Sequence, residues 1–253
     1  MPTYQTTNYL TLQSIIQSTC KMVGYPVPVD PAGSTDPAIQ QMVEGLNMAG
    51  EDMLNLYGWQ RLSKLYEIEI ASEYPGQLER SFDLPTDFWQ FIDQTQWNVD
   101  TRLPAIGPIS PQAWQQLRIR MPKVVLTFLW QIRDGKLWIQ APPAIAQKLS
   151  FYYQSNGWVQ DADDPTDFKN YANKNGDTIL MDGYLMKLLT RVKWLEMKGF
   201  DSAIAMRDFQ VNYENRKGND VGAQVLNMAQ TLAFPYLNVA TNAPDTGYGG
   251  VGY

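Results

Sequence analysis

The segment SFDLPTDFWQFIDQTQWNVDTRLPAIGPISPQAWQQL, residues 81–117, is the densest run of turn residues and aromatic side chains in the chain. It contains three tryptophans and four prolines, but no arrangement of side chains that is typical of catalysis. Residues 81–84 are typical of the end of a strand, and Pro85 stops this strand because proline has no N–H for a β-ladder. The segment therefore predicts a defined local structure and does not indicate a particular reaction.

Two short helices are predicted within this segment. Thr86 or Asp87 can cap the first. Serine at a cap followed by proline at the first helical position, as in Ser110 and Pro111, predicts a second helix over residues 111–117. The first helix would hold three aromatic residues, Phe88, Trp89 and Phe91.

Composition excludes several classes of site. The chain has 253 residues, of which 44% are hydrophobic and 18% charged, so it can bury a large core. It has no histidine, which removes the usual general base and the commonest metal ligand. The one cysteine, Cys20, lies among apolar helical positions and is interpreted as a buried structural thiol. No cofactor is expected.

Net charge and hydropathy argue against some classes of binding partner. A net charge of −6 argues against a general nucleic-acid coat, although DNA could slide past a wall that does not grip phosphate. The N-terminus lacks a basic start followed by an apolar core, and no apolar stretch approaches the ~20 residues that cross a bilayer. We therefore expect a soluble protein made in a cytoplasm, with no membrane partner.

Helical periodicity marks both ends of the chain. Apolar residues recur at helical spacing over 10–22 and 37–57. After an acidic stretch, Thr178 can cap a helix that ends before Gly199. A further helix is predicted over 202–216, and the sequence Gly-Asn-Asp at 218–220 is expected to separate it from a third around 225–229.

Strand patterns fill the middle of the chain. Alternating apolar residues predict strands over 66–70, 77–84 and 149–153. A β-branched and aromatic run at 124–132, followed by Asp134-Gly135, predicts a hairpin whose partner strand is 136–140.

The predicted fold class is α+β. The broad apolar stripes at both ends need a partner, so we expect one helical bundle built from residues 1–63 and 177–234. The antiparallel β-rich region, residues 64–160, would be inserted as a lobe. Residues 161–176 would form an acidic loop and residues 235–253 an extended C-terminal tail.

The tail pairs tyrosine with glycine in a way that favours binding to a partner. Tyrosine supplies contact area with few rotatable bonds, and glycine lets the backbone lie close to a partner. A disordered end is the plain alternative. The residues concerned are Tyr236, Tyr248, Gly249, Gly250 and Tyr253.

Carboxylates suggest two further sites, each with a simpler explanation. The acidic residues of 161–167 could hold calcium, yet an EF-hand's glycine and closing glutamate are missing, so a solvated loop is the default. Asp87, Asp93 and Asp100, near several tryptophans, could serve a carbohydrate-active site. Core packing is the stronger explanation for Trp89, Trp97 and Trp114.

Basic residues form two groups that could contact a neighbouring subunit or passing DNA. The first contains Arg118 and Arg120; the second contains Lys187 and Arg191, four positions apart on one helical face. A solvated face is the plain alternative.

Four stretches carry a resemblance to a known family. DLPTDF at 83–88, TQWN at 95–98 and GPISPQAWQ at 107–115 resemble the central signature of podovirus head-to-tail adaptor (connector) proteins, also called tail tubular protein A-like proteins. FYYQSNGWV at 151–159 resembles the family's next block. The match covers the middle third of the chain in detail.

The resemblance implies a structural virion protein. It implies a dodecameric ring of this chain between the portal protein and the tail nozzle protein, with double-stranded DNA passing through without sequence specificity. It also implies that the C-terminal segment reaches the portal, and that the protein lies in the virion neck after a period in the host cytoplasm. The alternative is a virion-associated carbohydrate-active enzyme or carbohydrate-binding module.

Overall fold

The fold is α+β with antiparallel sheets, as predicted. The computed structural model describes residues 9–70, 79–119, 127–140 and 146–220. Within these ranges the helices are α1 (Leu12–Val23), α2 (Pro37–Leu56), α3 (Pro111–Ile119), α4 (Gly183–Met197) and α5 (Ala203–Asp220), with a short 3₁₀ turn at Gln60–Leu62. No helix of the described part is both long and apolar enough to cross a bilayer.

The strands fall into three sheets. The largest has the order β1-β8-β4-β5, with β3 also paired to β8; the others are β2-β7-β6 and β10-β9-β11. The strands are β1 (Ser63–Ile70), β2 (Glu79–Asp83), β3 (Phe88–Phe91), β4 (Trp97–Asn98), β5 (Leu103–Pro104), β6 (Leu129–Arg133), β7 (Lys136–Gln140), β8 (Gln147–Ser155), β9 (Val159–Gln160), β10 (Phe168–Lys169) and β11 (Thr178–Ile179).

Capping residues set the helix bounds. The Thr11 side chain accepts from the Ser14 N–H at the start of α1. Asp36 caps α2, where Pro37 occupies the first position. Gly24, at φ 71°, ends α1 in the left-handed conformation that glycine adopts without strain. These predicted helices are confirmed within two residues at each end.

Helices from the two ends of the chain share a hydrophobic core. α2 packs against α4, and α4 also packs against α1 and α5. The Tyr213 hydroxyl of α5 donates to the Leu56 carbonyl at the end of α2, at 2.9 Å. Cys20 is fully buried in this core, 3.4 Å from the Met42 sulfur, and burial raises the pKa of its thiol. The interpretation of Cys20 as a structural thiol agrees with this position.

A second core lies within the β-rich region. β8 is its central strand and pairs with the whole length of β1, from Ser63 opposite Gln154 to Ile70 opposite Gln147. The predicted hairpin is confirmed: β6 and β7 pair around Asp134 and Gly135, whose φ values are 53° and 69°. The buried members of this core include Ile70, Phe128, Trp130, Ile139, Leu149 and Phe151.

Three predicted local structures are wrong. Residues 88–91 form strand β3 rather than a helix. α4 begins at Gly183 with Asp182 as its cap, because Thr178 is paired with Gln160 in the small sheet. α5 continues through 218–220, where a break was expected. The second predicted helix of the opening segment is confirmed as α3, and residues 225–229 lie outside the described residues.

Candidate functional site

Residues 83–88 and 151–159, two of the four stretches quoted in the sequence analysis, meet at Asp87. Its carboxylate accepts from the Tyr153 hydroxyl at 2.8 Å and from the Ser155 hydroxyl at 2.7 Å. The Lys64 ammonium of β1 lies 2.7 Å from the same carboxylate. The Asp87 backbone carbonyl accepts from the Asn156 N–H at 2.8 Å. One side chain thus links β1, the start of β3 and the end of β8.

These contacts fix the protonation state of Asp87. Burial opposes ionisation, but the donors Lys64, Ser155 and Tyr153 outweigh it and lower the pKa of the carboxyl. Burial, followed by the hydrogen bond to Asp87, raises the pKa of the Tyr153 phenol. Both oxygens are engaged by fixed donors, so this carboxylate is suited to holding strands together and poorly suited to proton transfer.

The other two carboxylates with a predicted role in hydrolysis have unrelated surroundings. Asp100 accepts from the Lys148 N–H at 2.6 Å. Asp93 is exposed and lines a cleft of about 290 Å³ with Phe91, Pro108 and residues of β6. Since Asp87 and Asp100 do not line that cleft, the three carboxylates are not gathered around one cavity there.

The acidic stretch is neutralised by lysines of its own segment. The Lys169 ammonium lies 2.8 Å from Asp161 and 2.9 Å from Asp177, and Lys174 lies 3.0 Å from Asp161. Hydrogen bonds from Lys169, the Asp163 N–H and Lys174 lower the pKa of Asp161. The fully buried Asp177 also accepts from the N–H groups of residues 173 and 174.

This cluster leaves no opening for calcium. The ammonium of Lys169 stands between two carboxylates where a divalent cation would have to bind. Among the described residues, no group of three or more His, Cys, Asp or Glu side chains could hold a metal ion. The cluster instead connects the small sheet to α1, because the Asp177 carbonyl accepts from the Leu12 N–H at 2.9 Å.

The predicted basic residues that the structure describes lie on two different helices, α3 and α4. Arg118 is exposed near the end of α3, whereas Arg120 lies outside the described residues. Lys187 and Arg191 are half-buried on α4. The Arg191 Nε is buried without an acceptor among the described residues.

All five predicted tail residues, Tyr236, Tyr248, Gly249, Gly250 and Tyr253, lie outside the described residues.

The tryptophans of the opening segment differ in role. Trp114 is almost fully buried and its indole N–H donates to Glu79 at 2.9 Å, as an anchoring role predicts. Trp89 is 43% exposed, so the assignment of this residue to core packing is wrong. It lines a cleft of about 260 Å³ whose other residues come from α2, the turn after β8 and the end of β10. Sequence reasoning missed this cleft because its residues are scattered from 51 to 170.

No protein-family model matches the chain, and no curated protein matches it either.

Proposed function

We propose that this chain is a head-to-tail adaptor of a tailed phage. Many copies, twelve if the resemblance holds, would form a ring that joins the portal to the tail nozzle and lines the DNA channel. The protein would assemble into the virion neck from the host cytoplasm. The chain would act as a structural part and not as an enzyme.

The observation that carries the proposal is the contact between the two family-like blocks at Asp87. Residues 83–88 and 151–159 are more than sixty positions apart, yet Tyr153, Ser155 and Asn156 all hydrogen-bond to Asp87. The shared blocks therefore specify the shape of the β region. A ring component needs a defined shape and no reactive group, because its function is to pack against neighbouring proteins.

The helices support the same proposal. Because α1 and α2 share a core with α4 and α5, we interpret them as one bundle made from both ends of the chain, with residues 64–160 as the inserted lobe. Bundles of this kind would pack side by side around the ring. The lobe would face the next ring of the tail.

The outer face of α5 offers a surface for such packing. Ile204 and Val211, two turns apart, are 66% and 57% exposed, and Phe200 just before the helix is 59% exposed. Exposed apolar side chains can mark a surface that another protein covers. We assign them, together with the half-buried Lys187 and Arg191 of α4, to contacts between neighbouring copies.

The tail would provide the link to the portal. Tyr236, Tyr248, Gly249, Gly250 and Tyr253 would order on the portal ring, and the cost of ordering them would keep the chain from assembling before it docks. Once docked, the copies would be concentrated side by side and would then pair. Arg118 and Arg120 would face a neighbouring copy or the passing DNA.

The test is the mass of the complex, measured by light scattering. The full chain alone should have the mass of one copy, and mixed with the portal ring of the same phage it should join as a ring. Deleting residues 241–253 should abolish portal binding and leave the melting temperature unchanged. The double substitution Ile204→Ser with Val211→Ser should instead lower the number of copies bound per portal.

Each result bears on a different part of the proposal. A wild-type chain that ignores the portal would overturn the adaptor function. Full portal binding by the truncated chain would overturn only the role of the tail. Full occupancy by the α5 double variant would overturn only the assignment of α5 to the contact between copies.

A further inference from the structure

The cleft beside Trp89 has the composition of a ligand site. It is lined by residues from four separate parts of the chain and has a volume of about 260 Å³. Small-ligand pockets usually measure roughly 300–1,000 Å³, so this cleft has room for about one six-membered ring with its substituents. Its lining is Glu51, Leu54, Asn55, Trp89, Asn156, Trp158 and Asn170.

Several polar groups in the cleft have no partner within the part of the chain that the structure describes. No hydrogen bond or ion pair with the described residues engages the side chains of Glu51, Asn156 or Asn170. The cleft therefore keeps side-chain hydrogen-bonding capacity that the described residues do not use.

Trp89 supplies an aromatic surface at the same place. Its side chain is 43% exposed although β3 itself is fixed by pairing to β8. A large aromatic face on a rigid strand can stack on a ligand with little loss of conformational freedom.

We propose that this cleft binds a neutral sugar ring. The C–H groups on one face of a pyranose would stack on Trp89, since the face of an aromatic ring carries partial negative charge. The amides of Asn156 and Asn170 would exchange hydrogen bonds with its hydroxyls. Glu51, the one charged residue of the described lining, would accept from a hydroxyl and repel an anionic sugar.

This site is independent of the adaptor function, because none of its residues belongs to the tail or to the exposed face of α5. It is also distinct from Asp87, whose oxygens are engaged by Lys64, Tyr153 and Ser155. The proposal is for binding alone and involves no bond cleavage.

Saturation-transfer NMR on the full-length chain tests the proposal. The probes are the methyl β-glycosides of glucose, galactose and N-acetylglucosamine at millimolar concentration, with sialic acid as the anionic comparison. We expect signal transfer from the protein to at least one neutral sugar and none to sialic acid. Trp89→Ala and Asn170→Ala should each weaken binding about tenfold or more. Both residues are exposed, so both variants should fold.

Tyr152→Ala is the matched control, since Tyr152 is also an aromatic residue on the large sheet, 46% exposed, and lies outside the cleft. It should leave sugar binding unchanged. Absence of transfer to all three neutral sugars, or equal transfer in wild type and Trp89→Ala, would overturn the proposal. So would a wild-type chain that self-associates and becomes monomeric with Trp89→Ala, because the cleft would then be a contact between copies.

Discussion

The indole ring of Trp158 lies against the backbone of Gly50 in α2. A Cβ atom placed on Gly50 would lie 2.6 Å from Cε2 of that ring and closer still to two other ring carbons. Trp158 is fully buried and comes three residues after β8. The contact therefore brings the segment that follows β8 into the helical core, and it requires a residue without a side chain at position 50.

Gly50→Ala should destabilise the protein. Alanine gains about 1 kcal/mol of helix propensity over glycine, but the clash with a fully buried indole should cost more. Overpacking of this kind typically lowers the free energy of unfolding by about 1–3 kcal/mol. The net loss should appear as a lower midpoint in urea unfolding followed by circular dichroism.

Gly45→Ala is the matched control for this substitution. Gly45 is buried on the same helix, but its nearest neighbour is the terminal methyl of Met197 at 2.9 Å, which can rotate away. The substitution should be neutral or stabilising by up to about 1 kcal/mol. If both variants lost stability equally, the close approach of Trp158 would not be the cause.

Asp87→Asn should cost about 1–3 kcal/mol at neutral pH, because the half-buried Lys64 loses its counter-charge. The pKa of Asp87 is lower in the folded chain than its ordinary value of ~3.9. Its ionised form therefore contributes full stability above that value, and the contribution is lost as the pH falls through the folded pKa. The gap in the free energy of unfolding between wild type and variant should be constant near neutrality and should narrow below about pH 5.

Thermal melts over a pH series measure that gap. Asp83→Asn is the control. Asp83 pairs with Lys136 on the surface, where the Asp83 side chain is 84% exposed and the Lys136 side chain is 48% exposed. Its cost should stay within about 0–1 kcal/mol. A gap for Asp87→Asn that does not change with pH would contradict the assigned role of the carboxylate.

The strand at 88–91 shows why one local prediction failed. Phe88 and Phe91 are three positions apart, which is helical spacing, but a β-bulge between Phe88 and Gln90 gives a strand the same spacing. The rings of both phenylalanines can then pack on Tyr153 or Phe151 of β8. Asp87, the predicted helix cap, is used to bind Lys64 instead. A contact with β8, sixty residues away, is not visible in the local pattern.

Other elements could be predicted from the sequence because residues close together in the chain determine them. Asp36 with Pro37 begins α2, and Asp134 with Gly135 makes the hairpin turn. The continuation of α5 through residues 218–220 did not follow, since the sequence Gly-Asn-Asp is typical of a turn. The Trp89 cleft was equally unpredictable, because its residues come together only in the folded chain.

Calcium should not bind the acidic stretch. The Lys169 and Lys174 ammonium groups lie within 3.0 Å of Asp161, so a divalent cation would have to displace both. We expect millimolar calcium to leave the melting temperature unchanged, with an equal concentration of magnesium as the control for ionic strength. A rise with calcium alone would contradict the assignment of these lysines as the permanent counter-ions.

Lys169→Met should destabilise the protein more than Gly50→Ala or Asp87→Asn. The Lys169 side chain is 11% exposed, and its removal would leave the carboxylates of Asp161 and Asp177, 8% and 0% exposed, facing each other without a shared cation. Breaking a buried ion pair from one side costs about 3–5 kcal/mol, and the lower end applies near the surface. The small sheet should loosen first, exposing the amides at the start of α1 to hydrogen exchange.

Lys174→Met is the matched control because it removes a charge from the same cluster. Lys174 is 43% exposed and pairs with Asp161 and the exposed Asp163, so solvent can replace it. The loss of stability should be clearly smaller, and exchange at the Leu12 amide should remain slow. Equal losses of stability in the two variants would mean that the net charge of the cluster determines stability and that the burial of Lys169 does not. Adding Asp177→Asn to Lys169→Met should restore part of the stability, since one of the two carboxylates that shared Lys169 then loses its charge.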